Sequence, residues 1–136
     1  MSADQDRSLP TVLLRHDLPD GSSHVDWLIG RDPAGQQPLI AFRLAVRLDE
    51  LQAGQTVAVR QLEDHRPLYL TYEGPISGDR GHVRRLASGR VGKLSREAHR
   101  WSLTVDWDAS CETREPASLV LRRTGPDEWE LEVASS

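Results

Sequence analysis

Residues 128–133 carry the cleanest pattern in the chain: Trp129, Leu131 and Val133 alternate with Glu128, Glu130 and Glu132. Side chains on a strand point to opposite faces with period two, so this predicts a strand with one apolar and one acidic face. Trp101, Leu103, Val105 and Trp107 alternate in the same way with Ser102, Thr104 and Asp106. A third run, 39–48, sets Ile40, Phe42, Leu44 and Val46 against Ala41, Arg43, Ala45 and Arg47. Further strands are predicted over 11–15, 24–29, 56–62 and 119–123, with 82–87 and 90–94 forming a hairpin about Ser88-Gly89. The intervening segments carry turn and loop chemistry: 18–23 with Pro19-Asp20-Gly21, 31–37 with Pro33 and Gly35, 76–81 with two glycines, the polar loop 108–116, and 124–127. Residues 49–54 suit a single helical turn, and 63–75 reads as a site-building connection. Eight or nine short strands without a long helix predict an all-β fold, a small antiparallel barrel or sandwich. Half-buried strands along the whole chain favour a closed or nearly closed β-barrel with short helical turns, because closure removes exposed edges. The polar residues 1–9 read as a disordered N-terminal tail, and 10–136 as one domain.

The segment 24–29 combines that pattern with chemistry. Val25, Trp27 and Ile29 share one face; His24 and Asp26 share the other. His16 lies at the end of the preceding apolar run, and a hairpin through 18–23 lets His16, His24 and Asp26 converge on one metal ion. Two imidazoles and a carboxylate form a borderline ligand set suited to manganese, iron or zinc. Three protein ligands leave coordination positions open for water or substrate. A strand histidine is, however, more often a surface or hydrogen-bonded side chain. A second cluster is His65 beside Asp64, with Tyr69 four residues on. A neighbouring carboxylate can fix the tautomer of an imidazole and raise its pKa for phosphate binding or acid catalysis. The plainer reading is a loop histidine next to a turn aspartate.

Composition narrows the classes. The chain has 136 residues, a net charge of −4 and one cysteine, Cys111, so no disulfide framework is available within it. No apolar run approaches a membrane span and no secretory signal is visible, which sets the expectation of a cytoplasmic, non-membrane protein, monomeric by default. An overall acidic balance argues against a general nucleic-acid coat. Locally, Arg80, Arg84, Arg85, Arg90, Lys93, Arg96 and Arg100 face Glu97 alone, either a local anion site or a solvated strand pair. The four tryptophans all fall at core positions of the alternation, which makes them poor candidates for a base-stacking platform.

The run 62–74, Leu-Glu-Asp-His-Arg-Pro-Leu-Tyr-Leu-Thr-Tyr-Glu-Gly, resembles the 3′-phosphoesterase domain of bacterial DNA ligase D. The family shows an acidic pair and His, then Pro and Leu, a Tyr four residues after the His, and an aromatic-Glu-Gly. Upstream it carries a His and then a His-x-Asp on a strand, as do His16 and His24-Val25-Asp26 here; Gly78–Val83 matches its glycine-rich turn into a strand. The likeness covers roughly residues 12–134. It implies a small β-barrel that binds a divalent metal, Mn2+ or alternatively Zn2+, through His16, His24 and Asp26. It implies His65 and Tyr69 as catalytic, phosphate-contacting groups, with Arg66, Arg80 and Arg84 as further phosphate contacts. The activity implied is removal of a 3′-phosphate or 3′-ribonucleoside from a nucleic-acid end, or action on a small phosphate ester. The chain departs from the family where two arginines are expected: it has Leu28 after the strand aspartate and Val57 before the phosphate-binding histidine. Arg43, Arg60, Arg66, Arg80 and Arg84 are the candidates to replace them. Those departures leave a second expectation open, a catalytically silent barrel that binds metal, phosphate or a nucleic-acid end.

Overall fold

The structure, a computed structural model, describes residues 8–108 and 116–134. Residues 1–7 of the expected tail and Cys111 with most of its loop lie outside the described residues. Among the described residues nine strands follow one another: β1 Leu9–Asp17, β2 Ser23–Ile29, β3 Leu39–Leu44, β4 Thr56–His65, β5 Gly74–Pro75, β6 His82–Arg96, β7 Arg100–Trp107, β8 Ala117–Arg123 and β9 Glu128–Val133. Short 3-10 turns at Leu48–Glu50 and Pro67–Leu70 are the only helical pieces among the described residues. The strands form one antiparallel sheet in the order β1-β2-β3-β4-β9-β8-β7-β6-β5, and β1 also pairs with β6. That last pairing closes eight strands into a barrel, with β5 added outside it. The all-β closed barrel expected from the alternation is therefore the fold. No helix among the described residues is long and apolar enough to cross a membrane.

The barrel interior is aromatic. Trp27, Phe42, Trp101 and Trp129 pack there with ring centroids 5.3–6.4 Å apart. Two of the indole N–H groups bond to side chains: Trp27 Nε1 donates to Thr11 Oγ1 at 2.8 Å, and the Thr11 hydroxyl in turn donates to the Leu28 carbonyl at 2.6 Å. Trp129 Nε1 donates to Gln61 Oε1 at 3.1 Å. A second apolar cluster lies outside the barrel wall. Val12, Leu14, Leu28, Leu39, Ala41 and Val83 are buried there beneath Tyr69, Leu70, Tyr72 and Ile76. Strands β1 to β3 are thus buried on both faces, which explains why 12–14 and 27–29 read as continuous apolar runs.

Several boundaries move. Strand β1 begins at Leu9, which is buried, within the stretch assigned to the tail. The run 39–48 ends as a strand at Leu44, whose partner Val25 is the last in the register. Val46, expected inside, is exposed, and Leu48 enters the core in its place. The predicted hairpin at Ser88-Gly89 is absent: 82–96 is one fifteen-residue strand. Gly89 marks a close approach instead of a turn, because a Cβ there would sit 2.2 Å from the Asp106 carbonyl oxygen. The first half of β6 pairs with β1 and the second half with β7, so a single bent strand spans the seam.

Replacing Gly89 with valine forces β6 away from β7 at that seam. The expected result is a loss of about 1–3 kcal/mol, the usual range for overpacking. Urea unfolding checks it, the midpoint falling while the m-value holds.

Candidate metal centre

The β1–β2 hairpin sets His16 directly opposite His24 and Leu14 opposite Asp26. Strand β3 sets Arg43 opposite Asp26 on the other side. Alternation places all of these on the outer face of the barrel wall, at the edge of the second apolar cluster. His65 reaches the same face through an irregularity. Ala41 pairs with Leu62 but Leu39 with His65, so β4 holds one extra residue between them. Without that bulge, His65 would sit on the face opposite Leu62.

His16 Nδ1 lies 3.1 Å from His24 Nε2. Asp26 Oδ1 is 3.4 Å from His24 Nε2, and Oδ2 is 3.8 Å from His16 Nδ1. Two donors bound to one ion at 2.0–2.2 Å stand roughly 3.0–3.5 Å apart. The three residues therefore form a group that can hold a divalent ion. The carboxylate is 3% exposed, and a buried charge of this kind needs partners. Besides the two histidines it has Arg43 Nε at 3.5 Å and His65 Nε2 at 3.9 Å.

Backbone carbonyls orient two of the imidazoles. His16 Nε2 donates to the Arg80 carbonyl oxygen at 2.8 Å, which turns Nδ1 toward His24 and Asp26. Carbonyl-oriented imidazoles of this type are common around bound metals. Gly81 makes the approach feasible, since a Cβ there would fall 1.9 Å from the Asp17 carbonyl oxygen. His65 Nδ1 likewise faces the Glu63 carbonyl at 3.0 Å, presenting Nε2 to the site. The expected Asp64–His65 partnership is not formed. Asp64 binds Arg31 instead, at 2.9 and 3.0 Å, and a backbone carbonyl orients the imidazole. Burial pushes the His24 imidazole below its usual pKa, against the pull of Asp26, and the charges of Arg43 and His16 add to the lowering.

A cleft of about 390 Å³ opens over these groups, with His16, Asp26, Arg43, His65, Arg66, Tyr69 and Arg80 among its lining residues. Tyr69 stands on the 3-10 turn Pro67–Leu70, its ring centroid 6.0 Å from that of His65. Of the predicted site residues, His24 and Arg84 do not line the cleft; His24 belongs to the ligand group beside it. Arg84 pairs across from Arg15 on the face of β6 opposite Val83, close to Asp17. Arg43 enters as the cross-strand neighbour of Asp26, a relation that sequence distance hides. Leu28 and Val57, at the positions where the resembling family has arginines, take part in apolar packing. Leu28 is fully buried in the outer cluster, and Val57 packs against the interior core. No protein-family model matches the sequence, and no curated protein matches it.

Two outcomes are expected from calorimetry with Mn2+. Wild type takes up about one ion per chain, and His24→Ala abolishes uptake. Because the His24 pKa is depressed, the unfolded chain binds more protons than the folded one between that value and about 6.5. Its contribution to stability is therefore complete above pH 6.5 and is lost as the pH falls through the folded-state value. Thermal melts of the metal-free protein from pH 7.5 to 5 check that sign.

Proposed function

We propose that this chain is a divalent-metal-dependent phosphoesterase acting on 3′ ends of nucleic acid, removing a terminal phosphate or ribonucleoside, with a role in DNA end repair. The observation that carries the reading is convergence. His16 and Asp26, from a group able to hold a metal, line one cleft together with Arg43, His65, Arg66, Tyr69 and Arg80, side chains whose chemistry suits a phosphate. The resemblance to the 3′-phosphoesterase domain of DNA ligase D supports the same assignment of residues, with manganese the favoured ion and zinc the alternative.

His16, His24 and Asp26 would hold the ion. When bound, such an ion polarises a phosphoryl oxygen and makes water a better nucleophile. The remaining work falls to the chain. Arg43, Arg66 and Arg80 offer planar donor forks to the non-bridging oxygens, where charge grows in the transition state. His65, aligned by the Glu63 carbonyl, directs Nε2 into the cleft. In its protonated form it donates to phosphate and can protonate the departing oxygen. Tyr69 offers its hydroxyl proton to a phosphate oxygen from the turn beside it. Leu14, Ile76 and Val83 form an apolar side of the cleft that sheds water from the reacting group.

A second reading has its own observation. With Leu28 and Val57 committed to apolar packing, the barrel lacks two arginines of the resembling family, and a binder of metal and phosphate without turnover fits that loss.

Purified protein with Mn2+, offered 3′-phosphorylated and ribonucleotide-ended primers, separates the two readings. Turnover is expected, abolished by His24→Ala and reduced about 100-fold or more by His65→Ala, in the range of general acid–base catalysis. Binding of both primers with no product would replace the enzyme with the silent barrel.

A further inference from the structure

The group that orients His16 is a loop carbonyl. Residues 76–81 join the two-residue β5 to β6, and Ser77, Gly78, Asp79 and Arg80 are all exposed. A connection with so few buried apolar contacts has little packing to fix its shape. Hydrogen bonds within the loop do that instead. Ile76 N–H donates to the Gly81 carbonyl at 2.8 Å and closes the base. Inside, Arg80 Nε donates to the Ser77 carbonyl at 2.7 Å, and Nη2 lies 3.5 Å from Ser77 Oγ. Between them Gly78 and Asp79 take left-handed backbone, at φ 79° and 57°. That conformation is unfavourable for a residue with a Cβ, so Asp79 needs the bonds on either side of it.

Arg80 thus works in two directions. Its side chain ties residues 77–80 together, and its carbonyl oxygen receives His16 Nε2–H at 2.8 Å. We infer that Arg80 is a positioning residue for His16: its side chain, through Ser77, holds the loop in the shape that keeps the Arg80 carbonyl on the imidazole and Nδ1 turned toward His24 and Asp26. The importance of this for a cation rests on the metal reading above. The role is separate from contact with a phosphate, and the two differ in sign. Arg80 lines the same cleft as His16 and Asp26. A positive charge there repels a cation, so if charge were its only influence on the centre, removing it would tighten cation binding. If Arg80 positions His16, removing the brace weakens it.

Arg80→Gln and Arg80→Met separate these effects. Both remove the charge and keep the length of the side chain. Glutamine places an amide N–H where arginine has Nε, whereas methionine offers no donor. Calorimetric titration with Mn2+, free of phosphate and sulfate, is the first readout. Arg80→Met is expected to bind about 10-fold more weakly than wild type, the low end for loss of an outer-shell partner. Arg80→Gln is expected to bind at least as tightly as wild type, since the brace stays and the repelling charge goes. Equal affinity in the two variants would overturn the inference.

Imidazole nitrogen NMR of the metal-free proteins at about pH 8, above the ordinary histidine pKa, is the second readout. In wild type and Arg80→Gln, His16 Nε2 is expected to carry the proton; in Arg80→Met, the proton is expected to exchange between the two ring nitrogens. A wild-type His16 signal in Arg80→Met would overturn the inference whether or not Mn2+ binds. Expected His16 signals in a wild type that takes up no Mn2+ would remove the metal reading alone and uphold Arg80 as the orienter of His16.

Discussion

The pairing of β1 with β6 holds the rest of the molecule in place. It joins the first strand to the long strand that also carries β7, and so removes the last free edges of the eight-stranded sheet. The same register sets His16 opposite Val83 and Asp17 opposite His82, at the point where β6 begins. The residues just before that point then have no freedom to stand elsewhere. Arg80 lies with its carbonyl oxygen on His16, and Gly81 passes against Asp17. Barrel closure and orientation of a candidate ligand are one event.

Burial on both sides of β1 to β3 follows from what covers them. The interior aromatic core fills one face, and the segment from the Pro67–Leu70 turn to Ile76 lies over the other. The candidate centre occupies the margin of that cover, where apolar packing stops and solvent begins. A carboxylate placed there is almost fully desolvated, and the surrounding imidazoles and guanidinium offset the cost. The ligands stand on paired strands of the barrel wall, whereas His65 and Tyr69 come from the end of β4 and the turn after it. A rigid ligand set beside groups on a less regular segment is a common layout for a binding site.

Part of the motif that suggested a phosphoesterase has a structural explanation. Tyr72 donates its hydroxyl proton to the Pro75 carbonyl, inside its own turn. Glu73 accepts the backbone N–H of Arg85 at 2.9 Å. That amide lies at the irregularity where Leu13 pairs with Ala87 and Leu14 with Arg85, leaving Leu86 without an opposite residue. The Tyr-Glu-Gly element therefore stabilises the bulged seam and does not face the cleft chemistry. The portion of the likeness that gathers at the candidate centre is narrower: His16, His24, Asp26, His65 and Tyr69.

What the sequence determined by itself is what local alternation can encode. The faces of 24–29, 101–107 and 128–133, the tryptophans as core, and the hairpin that opposes His16 to His24 were all legible, because strand side chains alternate wherever the chain is extended. Gly89 was misread because glycine marks both turns and close backbone approaches, and only the position of Asp106 on a neighbouring strand distinguishes them. His65 reached the site through an extra residue in β4, which reverses the parity that alternation would give. Arg43 met Asp26, and Arg84 turned away, through strand register and strand face, neither of which is written in residue spacing. The carbonyls that set the tautomers of His16 and His65 are backbone atoms of Arg80 and Glu63, invisible to any reading of side-chain types. Tertiary structure decided these points because each depends on a partner distant in sequence or on the exact parity of a bulge.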